Sequence, residues 1–155
     1  MRPLIIALSF LLVSTAVQAE LSDFENRAFK QKNPEELAYV IEVDESCPVS
    51  GEQLESTIKS TLVRARIKPL GGTAWKRKKL TLNVSLFCIE REEANPVFKL
   101  DIYFGSWSET LPVYYPIDYG TFGIGPVEQL EQSASEGIDR AVTAYLHANF
   151  DLGDD

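Results

Sequence analysis

Cys47, Cys88 and His147 carry the widest chemical repertoire of this chain, which has two cysteines and one histidine in 155 residues. Three chemistries compete for the cysteines. A structural metal site takes four nitrogen or sulfur ligands, more than these three residues supply. A catalytic thiol needs a base within hydrogen-bond reach, and that role would rest on His147 alone. A disulfide needs only the pair and an oxidising compartment, and the sequence favours it. Such a bridge would stabilise the fold by ~4 kcal/mol in the chain-entropy account.

Other catalytic groupings are thin. The serines of "GSWSET", residues 105–110, lack a strand-turn-helix nucleophile pattern. Glu90, Glu92 and Glu93, and the tail acids Asp151, Asp154 and Asp155, lack calcium-loop spacing. Paired carboxylates could serve a small hydrolase, but sequence does not show which acids converge. His147 falls in the last turn of a predicted helix, where an imidazole suits the helix dipole. The expectation is therefore a protein without catalytic residues, metal or cofactor.

Two stretches could bind. "WKRKK", Trp75, Lys76, Arg77, Lys78 and Lys79, is the one dense basic run. It could grip a phosphate, a sugar-acid polymer or an acidic partner with Trp75 as a stacking surface; its plainer role is a solvated loop guarding a strand end. Residues 105–126 set Trp107, Tyr114, Tyr115, Tyr119 and Phe122 among glycines and prolines. Aromatic rings on stiff turns offer large contact area at small entropic loss. Alternation sends Tyr115 and Tyr119 inward and leaves Trp107, Tyr114 and Phe122 as partner-binding candidates.

The elements that must position these residues follow from spacing. The chain opens with Arg2, an apolar run from Leu4 to Val13 and a small-residue site at Val17-Gln18-Ala19. That is the layout of a signal peptide over residues 1–19, too short in its apolar part to span a bilayer. Removing Arg2 from 15 basic residues against 23 acidic ones moves the formal net charge from −8 to −9. Such a balance disfavours nucleic acid and anionic membrane surfaces as partners. Residues 20–36 are polar and read as a loosely held short helix or arm ended by Asn33-Pro34.

A single α+β domain is expected over 37–150, before an acidic tail at 151–155. "LAYVIEV", 37–43, is apolar and β-branched, a strand. Ser50 and Gln53 form a capping-box pattern ahead of Leu54, Ile58, Leu62 and Ala65 at helical spacing. Pro69 and Gly71-Gly72 then read as a loop. "LTLNVSLFCIE" and "VFKLDIYF" alternate around a short polar turn, a hairpin with Cys88 on the inward side. "LPVYYPIDY", 111–119, alternates too, but its two prolines place it at a sheet edge. "GTFGIGP" reads as a glycine-rich turn, and Leu130, Ala134, Ile138, Ala141, Val142 and Tyr145 mark a second helix running to about Phe150.

The order is then β-α-β-β-β-α: a mostly antiparallel four-stranded sheet with two helices on one face. A strand-helix-strand unit is parallel and right-handed, which brings both cysteines to one edge. Asn83-Val84-Ser85 matches a glycosylation triplet, but inside a strand. The functional expectation is an exported, periplasmic or extracellular, non-enzymatic binding or accessory protein. It would recognise a protein or cell-envelope component through residues 105–126. The alternatives are an inhibitor of a secreted hydrolase and a small carboxylate-dependent hydrolase.

Overall fold

Asp23–Phe29 forms a short helix, α1, followed by strand β1 (Glu36–Val43), in the computed structural model, which describes residues 23–76, 80–91, 94–107 and 112–150. Helix α2 (Gly51–Arg64) comes next, then strand β2 (Lys68–Leu70) and a 3-10 turn at Ala74–Lys76. Strands β3 (Thr81–Arg91), β4 (Ala94–Trp107), β5 (Pro112–Asp118) and β6 (Thr121–Ile124) lead to helix α3 (Val127–Asn149). The expected signal peptide, residues Arg77, Lys78 and Lys79, and the tail at 151–155 lie outside the described residues. Among the described residues no helix is long and apolar enough to cross a membrane.

The fold is α+β, with a mixed sheet of six strands in place of the expected four. Five run in the order β2-β1-β3-β4-β5, and β6 pairs with β4. β1 is parallel to both β2 and β3, as the strand-helix-strand unit requires, while β3, β4, β5 and β6 pair antiparallel. Two strands lie where turns were expected. Lys68–Leu70 around Pro69 adds to the outer side of β1, an edge position where proline is tolerated.

Thr121–Ile124 of "GTFGIGP" is β6, paired with Val97–Leu100 of β4. Its glycines let it approach: a Cβ at Gly123 would press on the Phe98 ring, and one at Gly120 would run into the Leu100 carbonyl. The run at 111–119 stays one edge strand, β5, and β6 joins it as a second edge strand on β4. Asp118 sits at the changeover, its carboxylate accepting from the Ile102 and Gly120 amides at 2.9 and 2.8 Å.

All three helices cover one face of the sheet. Tyr39, Leu82 and Phe104 are register partners across β1, β3 and β4. On their side Phe104 packs against Phe29 of α1 and Tyr145 of α3, and the Tyr39 hydroxyl donates to Glu55 of α2. α2 starts at the predicted capping box, with the Gln53 amide donating to the Ser50 hydroxyl and the Ser50 amide to the Gln53 side chain. α3 meets the sheet at Gly137, where a Cβ would lie 2.6 Å from Ile102 and 2.8 Å from the Tyr119 carbonyl.

α1 is held more firmly than its polar sequence suggests. Phe29 is fully buried, Asn149 donates to the Phe29 carbonyl, and the Tyr145 hydroxyl donates to that of Pro34. One apolar residue at the helix end, and carbonyls that α3 can reach, outweigh the polar composition.

Cys47 and Cys88 form a disulfide, with Cα atoms 5.0 Å apart. Cys47 stands in the loop after β1, and Cys88 is near the end of β3 on the helical face. The same loop is tied to β3 by the Asp44 amide donating to the Leu86 carbonyl, with the Ser46 hydroxyl 2.8 Å from the Cys88 carbonyl.

Candidate functional site

The side of the sheet away from the helices is built from the alternate residues of each strand. Its register reads as a series of rows. Ala38, Thr81 and Gly105 form the first, and Val40, Asn83 and Tyr103 the second. Glu42, Ser85 and Asp101 follow, then Phe87, Lys99 and Phe122, and last Ile89, Val97 and Ile124. The face is therefore polar in the middle and apolar at the β6 end.

Sequence alternation places Thr81, Asn83 and Ser85 on the solvent side of β3, yet all three are buried. Topology explains the cover at this end. β1 lies between β2 and β3, so the connection carrying the Ala74–Lys76 turn must cross β1, and the turn packs against it. Right-handed crossovers running in opposite directions fall on opposite faces. α2 crosses from β1 to β2 on the helical face, so the return past β1 belongs on the open one. Ala38 and Thr81 of that face are both 0% exposed, as such a cover would make them. Trp75 in this turn is half-buried, with the Lys76 ammonium 5.3 Å from its ring centre. Of the basic run, Trp75 and Lys76 are thus placed, and Arg77, Lys78 and Lys79 are not described.

Beside this cover stands Tyr114 of β5, directly opposite Gly105. The missing side chain at 105 leaves a slot: a Cβ there would meet the Tyr114 ring at 3.3 Å and the Asn83 amide nitrogen at 3.2 Å. Tyr114 lies edge-on to Tyr103, with ring centres 5.1 Å apart, a favoured aromatic geometry. It is locked at its root yet 56% exposed. Burial, reinforced by Tyr114, pushes the Tyr103 phenol above its ordinary pKa, and a hydrogen bond with Ser85 opposes the shift. Asn83 donates to the Thr81 carbonyl at 3.0 Å.

The aromatic candidates divide as alternation predicts. Tyr115 packs on Phe29 and Tyr119 on Phe104, both on the helical side. Tyr114 and Phe122 point to the open side, Phe122 being 71% exposed. Trp107 ends β4 opposite Pro112, and its side chain is outside the described residues.

Phe87, Ile89 and Ile124, exposed by 43%, 67% and 54%, were not among the candidates. They carry a readable signal, because Phe87 and Ile89 are apolar on the side of β3 that also holds Thr81, Asn83 and Ser85. Lys99 stands between Phe87 and Phe122, its ammonium 2.7 Å from Asp101, which raises its pKa.

The catalytic alternatives gain little geometry. The cysteines are bonded to each other, so neither is a free thiol or a ligand. His147 is exposed in the last turn of α3. Among the described residues no group of three or more histidines, cysteines and acids is placed to hold a metal.

Hydrogen bonds from Tyr39 and Lys59 lower the Glu55 pKa, and the Ser46 hydroxyl and amide lower that of Asp44. Both shifts favour fixed anions, whereas a proton donor needs a raised value. A groove beside Glu52 and Glu55 is lined by α2 alone, with no facing wall.

No family model matches the chain, and no curated protein matches it. Among solved structures it is similar to a PelC variant dodecamer from Paraburkholderia phytofirmans, over 76% of this chain and 90% of that one. The identity is 15% and the TM-score 0.42, too distant to bear on fold or function.

Proposed function

We propose that this chain is an exported, non-enzymatic accessory protein that binds a protein or cell-envelope partner through the open face of its sheet. The observation that carries this reading is Tyr114: exposed, yet fixed over Gly105 and against Tyr103. A ring ordered before binding loses little entropy when a partner covers it, the usual property of an interface anchor. Around it lie the polar side chains Asn83 and Ser85, and the crossover turn brings Trp75 and Lys76 to the same face. An apolar anchor with a polar surround is the common arrangement of a binding patch. Export supports the reading through the leader-like first residues and the disulfide.

The test uses the oxidised chain from Glu20 onward as bait in an extract of the source envelope, beside Tyr114→Ala and Trp75→Ala. Tyr114→Ala is expected to weaken capture of a given partner by at least about tenfold with little change in the unfolding midpoint. Capture resistant to salt points to the ring, and capture lost in salt points to Lys76 and its basic neighbours. Capture unchanged by both substitutions overturns the reading.

A further inference from the structure

The β6 end of the open face lies about 20 Å along β4 from Gly105, six residues at strand rise, and is different in character. Four apolar side chains, Phe87, Ile89, Phe122 and Ile124, fill two adjacent rows across β3, β4 and β6, flanking Val97 and Lys99. At roughly 200 Å² for each such side chain fully exposed, their exposed fractions leave on the order of 500 Å² of apolar surface open to water. A patch of that size is at the upper end for a monomer and commonly marks an interface. The fold does not explain it, because these side chains point away from all three helices.

We infer that this corner packs against the same corner of a second copy, face to face about a two-fold axis. Three features select that occupant. The first is shape: two identical sheets share one twist, and equally twisted sheets stack in the aligned manner with side-chain rows interdigitating. The second is charge. Among the described residues the ionic groups in and next to the apolar rows are Lys99, paired with Asp101 so that positive and negative ends stand side by side, and Glu42 across β3 in the Asp101 row. Turned about a two-fold axis, that pair presents its carboxylate to the other copy's ammonium and its ammonium to the other's carboxylate, the self-complementarity an isologous interface needs. The third is area: two such patches remove about 1,000 Å² together, the lower bound for a specific interface. The dimer is therefore of modest affinity. It is independent of partner capture at Tyr114, which uses the opposite end of the face.

Sedimentation of the oxidised chain from Glu20 onward, from about 1 to about 100 μM, tests this directly. The expected result is a monomer-dimer equilibrium that persists as salt rises, because screening of the repulsion between two chains of net charge −9 offsets the weakening of the exposed Lys99–Asp101 contacts while apolar contact holds. Phe122→Asp and, on a different strand, Ile89→Lys are each expected to weaken dimerisation by at least about tenfold while the unfolding midpoint of the monomer holds. Two positions guard against one variant that fails to fold. A monomer at the highest concentration, a dimer untouched by both substitutions, or one that dissociates in salt would overturn the assignment. Tyr114→Ala is expected to leave the dimer intact, so failure here and failure of the partner reading are separate results.

Discussion

Arg66 has a φ of 59°, the left-handed region, with a side chain in place of the usual glycine. It ends α2. The Arg66 amide donates to the Val63 carbonyl and the Ile67 amide to Leu62, the paired bonds of a Schellman turn, with Ile67 and Leu62 both buried behind it. A residue with a Cβ is strained there by roughly 1 kcal/mol, so Arg66→Gly is expected to raise stability by about that amount in urea unfolding. A less stable variant would show that the Arg66 side chain contributes more than its backbone loses.

The helix ending was legible through Pro69 and the glycine pair, but not the turn itself, because the nearest glycine comes five residues later. At the candidate site the legible part was orientation: Tyr114 and Phe122 out, Tyr115 and Tyr119 in. What spacing could not convey is that Gly105 provides the seat for Tyr114, since that slot exists only once β4 and β5 are side by side.

Elements were legible in proportion to their length. The hairpin of β3 and β4, helices α2 and α3, and the parallel relation of β1 to β3 follow from long periodic runs and the handedness of crossovers. β2 and β6 have three and four residues, too few to show a period, and each forms because a longer strand offers an unpaired edge. The disulfide was legible because a leader-like start and a cysteine count of two point to it without geometry.

A short helix was expected within 20–36, but its firm hold on the core escaped for the opposite reason. Among its described side chains Phe29 is the one fully buried, between Phe104 and Tyr115 with ring centres 4.5 and 6.0 Å away. Phe29→Ala is expected to lose about 3–5 kcal/mol, the range for emptying a buried aromatic site. Hydrogen exchange should then quicken at the end of α3, where Asn149 bonds the Phe29 carbonyl and the Gln31 amide. A loss below about 1 kcal/mol would fit a peripheral arm instead.

Across the whole molecule, tyrosines tie the layers together. Tyr145 of α3 reaches the Pro34 carbonyl between α1 and β1, Tyr39 of β1 reaches Glu55 of α2, and Tyr103 braces the open face against Tyr114. Burial raises the phenol of Tyr145 to about 12 and raises those of Tyr39 and Tyr103 as well, Tyr39 also through Glu55. Lys99, raised by Asp101, adds to the same trend. A group whose folded pKa lies above its unfolded value contributes stability that is whole below the unfolded value and lost as pH rises through the folded one.

With an ordinary tyrosine near 10, these contributions are intact at neutral pH and decline between about pH 10 and 12. The growing negative charge of an already acidic chain pushes the same way. Urea midpoints are therefore expected to fall steeply over that interval. Absorbance titration should show an early set of the six tyrosines ionising before unfolding and a late set, including Tyr145, released with it. If all six ionise together near pH 10 while the urea midpoint stays level, the phenols do not join the layers, and packing alone must account for the cohesion of helices and sheet.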